Sequence, residues 1–135
     1  DAISYDKGGC VLRMLEHYVG ESNFQKGLKR YLDDFKYKNA EGKDLWDAIG
    51  KISKMPVRTM VLTWLKQPGF PIVEIEKQNS TLHIKQRRYM LESGKKSKDG
   101  LWPIPLSVGL KEELFQKLFT KKFTSIKLPQ TTLDL

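Results

Sequence analysis

The sequence predicts an α+β fold in which short antiparallel α-helices are followed by a partial β-sandwich. The first observation is a change of period, because apolar residues recur every three or four positions before residue 69 and every second position after it. The second is the segment Gln67-Pro68-Gly69-Phe70-Pro71, whose residues end helices and form turns. With 135 residues, the chain has room for one compact domain or two small ones. We therefore expect a helical domain over residues 1–69 and a small β-sandwich domain over residues 70–135.

The first two helices are predicted from apolar residues that fall on one helical face. A helix is expected from Gly8 to Val19, and Gly20 is a residue that ends helices. A second helix is expected from about Glu21 to Phe35, with lysines, arginine and aspartates on its other face. The two stripes are Val11, Met14, Leu15, Tyr18 and Val19, and then Phe24, Leu28, Tyr31, Leu32 and Phe35.

Two more helices follow the same rule. The third carries the stripe Leu45, Trp46, Ile49 and Ile52, and the fourth carries Val57, Met60, Val61, Trp64 and Leu65. Proline is tolerated in the first turn of a helix, so Pro56 is placed at the start of the fourth. Because the four helices are short and closely connected, we expect an antiparallel array.

Residues after Pro71 alternate between apolar and polar side chains, which is typical of strands with one buried face. The first two strands contain Ile72 to Ile75 and Leu82 to Ile84, and Asn79-Ser80 is a plausible hairpin turn between them. The pattern of Leu114 to Leu118 fits a strand or a helix equally well, whereas Phe123 to Leu128 predicts an edge or final strand. Short strands at this spacing favour a partial sandwich or a sheet.

Composition and charge exclude several functional classes. The formal net charge is +8, but residues 1–69 and 70–135 contain 12 basic residues each, so the basic charge is not concentrated in one region. The densest cluster, Lys95, Lys96 and Lys98, lies in a predicted solvated loop, and we expect no specific nucleic-acid partner. No apolar run is long enough for a membrane span, and no signal peptide is expected. A single cysteine, Cys10, excludes an internal disulfide and fits a reducing compartment.

The side chains that could carry catalytic chemistry are few. There are two histidines and no His-Glu-x-x-His, so a zinc site is not expected from these residues. We expect His17 to be partly exposed at the edge of the core, His83 to face solvent, and Cys10 to pack on the apolar edge of its helix. Arg87 and Arg88 would point to opposite faces of a strand, which favours a surface or interdomain salt bridge over a carboxylate clamp.

The segment Ile3-Ser4-Tyr5-Asp6-Lys7-Gly8-Gly9 is unusual for the start of a helix, because two glycines follow a polar cluster. Glycine permits close approach of another backbone or of a ligand. The hydroxyl of Tyr5 could donate a hydrogen bond to a carbonyl oxygen that becomes negative during a reaction. From the residues alone, an ordinary packed or capping role for Tyr5 is favoured over this one.

A series of short motifs then gives a specific resemblance. They are the run from Ile3 to Leu32, Tyr37-Lys38-Asn39-Ala40, Asp44-Leu45-Trp46-Asp47-Ala48, Pro56-Val57, Trp64 to Pro71, Gln86-Arg87-Arg88-Tyr89 and Trp102-Pro103-Ile104-Pro105-Leu106. These motifs, in this order, resemble those of the M1 family of zinc aminopeptidases, in the part of the sequence downstream of the family's zinc motif. Within the family it is most similar to the archaeal tricorn-interacting aminopeptidase factors and the puromycin-sensitive branch.

The resemblance implies a role for Tyr5 and a place for both domains. In this family the tyrosine of the Tyr-x-Lys-Gly motif stabilises the oxyanion of the tetrahedral intermediate, and here that residue is Tyr5. Residues 1–69 would close the thermolysin-like catalytic domain, and residues 70–135 would form the β-sandwich that follows it. The zinc-binding motif and the Gly-x-Met-Glu-Asn motif precede this segment in the family.

We therefore expect a fragment of a cytoplasmic zinc aminopeptidase that releases N-terminal amino acids from peptides. The zinc would belong to the parent enzyme, and the fragment alone would bind no catalytic zinc and be inactive. A non-catalytic interaction module on the same framework is the alternative. Exposed faces of a fragment could also lead to self-association.

Overall fold

The computed structural model describes residues 2–89, 100–110 and 113–129, which form two compact units. The first unit comprises Asp1–Lys66 and is helical, and the second comprises Gln67–Leu135 and is built from strands. The α+β fold class predicted from the change of period is confirmed.

Four helices make up the first unit. They are α1 (Ala2–Val19), α2 (Glu21–Asp34), α3 (Gly42–Ser53) and α4 (Val57–Lys66). Each helix contacts the next along the chain, and α1 also contacts α4. None of the helices formed by the described residues combines the length and the apolar character needed to cross a bilayer.

The predicted helices agree with the structure except at two starts. Helix α1 begins at Ala2, six residues before the predicted start at Gly8, and it includes both Gly8 and Gly9. Pro56 lies just before α4, and its carbonyl accepts a hydrogen bond from the Met60 N–H at 3.2 Å. Proline therefore precedes the helix and supplies its first acceptor.

The core of the helical unit follows the predicted apolar stripes of α1, α3 and α4, whereas no residue of the α2 stripe is fully buried and Leu32 is exposed. Its most buried side chains are Val11, Leu15, Val19, Ala48, Ile49, Val57, Met60 and Val61. Helices α2 and α3 approach closely at Gly27, where an added Cβ would lie 2.8 Å from the Ile49 Cα. Only a residue without a side chain fits at this crossing.

Five strands make up the second unit. They are β1 (Pro71–Gln78), β2 (Thr81–Arg88), β3 (Ile104–Leu110), β4 (Glu113–Phe119) and β5 (Phe123–Lys127). One antiparallel sheet has the order β1-β2-β5, and β3 and β4 form a second antiparallel sheet. The segment that fitted a strand or a helix is strand β4, and the predicted turn at Asn79-Ser80 joins β1 to β2.

Both sheets contribute to the buried interior of the second unit, as expected for a partial sandwich. Ile84 and Ile126 come from the first sheet, and Ile104 and Phe119 come from the second. Trp102 lies just before β3 and is fully buried.

Candidate functional site

Tyr5, the predicted catalytic residue, lies in the N-terminal part of α1 with 84% of its surface exposed. The helix fixes the backbone of this residue, while the phenol remains accessible to a ligand. A ring buried in the apolar interior would have excluded the predicted role. The hydroxyl is therefore free of the core and can donate a hydrogen bond to an incoming carbonyl oxygen.

The helix surface next to Tyr5 is open among the described residues. Gly9 and Leu12 follow Tyr5 by four and seven positions and so share its face. A Cβ added at Gly8 or Gly9 would meet no atom within 4 Å, and Leu12 is 41% exposed. This face offers space for another backbone or a ligand close to the phenol.

Among the described side chains of α1, Val11 is the first that is fully buried. Gly8 precedes Val11 by three positions and lies on the same side of the helix, yet the space around it is open. Burial of Lys7, in the same part of the helix, lowers the pKa of its ammonium group. The N-terminal turns of α1 thus combine an exposed phenol with a half-buried lysine.

His17 and Cys10 are the two other predicted positions on α1, and neither belongs to a cluster of possible metal ligands among the described residues. His17 is exposed, which agrees with its predicted place at the edge of the core. The packing predicted for Cys10 is wrong, because the thiol is exposed. The buried stripe passes through Val11, Leu15 and Val19, and Cys10 lies one residue outside it.

His83 is more constrained than the sequence predicts. Its side chain is half-buried, with Nδ1 3.3 Å from the Ser125 Oγ and its ring stacked on Phe123 at a centroid distance of 6.1 Å. His83 still lies on the strand face opposite the buried Ile84 and Gln86, as predicted, and its contact with Ser125 is on the exposed surface. Pairing of β5 with β2 brings these partners together, and a local pattern does not reveal such long-range pairing.

Arg87 and Arg88 have different environments, as adjacent strand residues should. The Arg87 Nε lies 3.1 Å from the Glu74 Oε1 on the exposed surface, so the predicted surface salt bridge is present. The Arg88 guanidinium is half-buried, and its carbon lies 5.4 Å from the centroid of the Trp102 ring.

The residues that the structure describes do not fit a zinc site. Over 2–89, 100–110 and 113–129, no group of three or more histidine, cysteine, aspartate or glutamate side chains is placed to hold a metal ion. The lysine cluster Lys95, Lys96 and Lys98 lies outside the described residues.

Comparison with known proteins places this geometry in a family. Residues 1–64 match the description "Peptidase family M1 domain", and this segment includes Tyr5. The chain belongs to peptidase family M1. This M1 chain is 44% identical to the Tricorn protease-interacting factor F2 of Thermoplasma acidophilum over 108 residues. The aligned part is 80% of the chain and 14% of that protein.

Other M1 relatives extend the similarity across both units. Aminopeptidase M1-D of Oryza sativa is 36% identical over 129 residues, covering 94% of the chain and 14% of that protein. Probable aminopeptidase 1 of Saccharolobus solfataricus is 33% identical over 131 residues, covering 96% of the chain and 16% of that protein. The M1 chain therefore spans about one seventh of the length of the relatives that it matches.

Proposed function

We propose that this chain is part of a longer zinc aminopeptidase that releases N-terminal amino acids from peptides. Residues 1–69 would be the C-terminal helical part of the catalytic domain, and residues 70–135 the β-sandwich that follows it. Family membership and relatives named aminopeptidases support the activity. The 14–16% share of those relatives' length supports a longer protein, which we call the full-length enzyme.

Tyr5 is the proposed catalytic residue. As the carbonyl carbon of the scissile peptide bond is attacked, negative charge builds on the carbonyl oxygen. A phenol that donates a stronger hydrogen bond to this oxyanion than to the neutral carbonyl lowers the barrier. The observation that carries the proposal is the 84% exposure of Tyr5 on a helix of the family-matched segment.

The neighbouring glycines would give the substrate access to that hydroxyl. Side chains at Gly8 and Gly9 would extend into space that is open among the described residues. In the full-length enzyme we assign this space to the peptide backbone or to the opposite wall of the cleft. The helix would then hold the hydroxyl donor in a fixed position, while the glycines beside it leave no side chain that blocks the substrate.

The zinc implied by the family would be held by residues outside this chain, since the described residues do not fit it. When bound, zinc polarises a carbonyl and lowers the pKa of a coordinated water, neither of which a phenol does. The residues of this chain would only orient the substrate and stabilise the developing charge. We therefore expect the 135-residue chain alone to be inactive.

An activity assay on two proteins tests the proposed function. The full-length enzyme should hydrolyse an aminoacyl fluorogenic substrate, lose activity with a chelator and regain it with zinc. The purified 135-residue chain should show no zinc-dependent turnover. Turnover by the chain alone, or an inactive full-length protein with bound zinc, would contradict the proposal.

An interaction function is the second candidate, because one relative is named a tricorn protease-interacting factor. In this version the chain would belong to a protein that binds a larger protease, with or without its own activity. We propose a cytoplasmic location for either version, on the basis of the single cysteine and the archaeal relatives. An inactive full-length protein that binds such a protease would favour this second function.

A further inference from the structure

Tyr37 is a large aromatic residue that contributes nothing to the core of its own unit. It follows α2 and has 96% of its surface exposed. Its φ of 62° places it in the left-handed region, which glycine and asparagine adopt far more readily than tyrosine. The neighbouring residues Lys36 and Lys38 are also exposed.

Folding of the helical unit does not favour tyrosine at this position. The left-handed conformation disfavours a residue with a Cβ by roughly fivefold to thirtyfold in population. The contact that the ring makes with Lys36, at 5.4 Å from Nζ to the centroid, is weak at an exposed site. Glycine would fit the turn better, and the contact with Lys36 does not explain a tyrosine at this position.

We propose that Tyr37 and Lys38 form a docking point for a segment of the full-length enzyme that lies outside residues 1–135. This inference rests on one part of the proposed function, namely that the chain belongs to a longer protein; it does not require peptidase activity. About six sevenths of the relatives' length lies outside the part that this chain matches, so most of the polypeptide is available to cover the surface.

The chemistry of the surface specifies the segment that docks there. Leu32, in the last turn of α2, is 64% exposed and adds an apolar side chain to the same region of the chain. Aromatic and aliphatic groups favour apolar contact, and tyrosine is common among residues that dominate interfaces. Lys36 and Lys38 are exposed and adjacent to Tyr37 in sequence, so the docking segment should carry an apolar side chain next to at least one carboxylate.

Chemical modification of tyrosine tests the docking. Both the 135-residue chain and the full-length enzyme are treated with N-acetylimidazole, and the rate at each tyrosine is followed by mass spectrometry. Tyr37 should react at least tenfold more slowly in the full-length enzyme, whereas the half-buried Tyr31 reports that both proteins stay folded. Equal rates at Tyr37 in the two proteins would overturn the proposal.

Two substitutions separate docking from a local role. Lys38→Glu should raise the reactivity of Tyr37 severalfold in the full-length enzyme and leave it unchanged in the 135-residue chain. Tyr37→Gly should lower the melting temperature of the full-length enzyme but maintain or raise that of the chain. A Tyr37→Gly chain that melts lower, or an unaffected full-length enzyme, would contradict docking. Protection of Tyr37 in a full-length protein without peptidase activity would leave docking intact and refute only the proposed function.

Discussion

Gln86 illustrates how one buried side chain holds the second unit together. It is 2% exposed; its Nε2 donates to the carbonyls of Trp102 and Lys121 at 3.1 and 2.8 Å, and its Oε1 accepts from the Trp102 N–H at 2.9 Å. All three bonds go to backbone groups 16 or 35 residues away along the chain. Replacing this amide would leave buried polar groups without a partner, which is costly.

We expect Gln86→Leu to lower the free energy of unfolding by about 3 kcal/mol, since two or more buried polar groups lose a hydrogen bond. Urea unfolding followed by tryptophan fluorescence measures the change. Gln78→Leu makes the same replacement at an exposed strand position and should change stability by less than about 0.5 kcal/mol. Equal effects of the two variants would show that the Gln86 bonds contribute little.

Single residues were predicted well from the sequence where a local pattern decides their environment. The stripe through Val11 and Leu15 is buried as expected, because helical period alone sets it. The roles of Gln86 and His83 were not predictable, because each depends on partners brought close by strand pairing or by a distant loop. The role proposed for Tyr5 depends on the family resemblance, since nothing local distinguishes an oxyanion donor from an ordinary exposed tyrosine.

At the scale of elements, two helical glycines differ in the space around them: Gly27 lies at a tight helix crossing, whereas Gly9 faces open space. An added Cβ at Gly27 would lie 2.8 Å from both the Cα and the Cγ1 of Ile49, whereas one at Gly9 would meet nothing within 4 Å. Helix propensity favours alanine over glycine by up to about 1 kcal/mol at both positions. Only the packing of α2 against α3 distinguishes them.

Gly27→Ala should therefore destabilise the 135-residue chain by about 1–3 kcal/mol, because the Ile49 side chain and backbone must shift. Gly9→Ala should stabilise it by up to about 1 kcal/mol. Thermal or urea unfolding of both variants gives the comparison. A stabilising effect of Gly27→Ala would mean that the helices separate at little cost and that the crossing is not tightly packed.

Element boundaries show where sequence patterns reach their limit. The period of apolar residues identified all four helices and the β1–β2 hairpin, because each is specified by neighbouring residues. The start of α1 was placed too late because the apolar stripe that identified the helix begins only at Val11, whereas the helix begins at Ala2. Strand β4 was ambiguous in isolation, and its antiparallel pairing with β3 resolves it.

At the scale of the whole molecule, the chain contains two units that each have a buried core. Ordered motifs along the sequence were enough to identify the M1 family, and residues 1–64 carry the family match. A metal site could not be predicted as geometry, because the described residues include no group that could hold a metal ion. The central claim is therefore the part that Tyr5 takes in catalysis by the full-length enzyme.

Steady-state kinetics of Tyr5→Phe in the full-length enzyme tests this claim most directly, because the substitution removes only the hydroxyl. Tyr89→Phe, which keeps a ring stacked on Phe70, is the matched control and should retain normal kinetics. We predict that Tyr5→Phe lowers kcat by about 10²–10³ with a much smaller change in KM, as expected for a hydrogen bond that strengthens in the transition state. A Tyr5→Phe enzyme with a kcat near that of the unaltered protein would contradict the account.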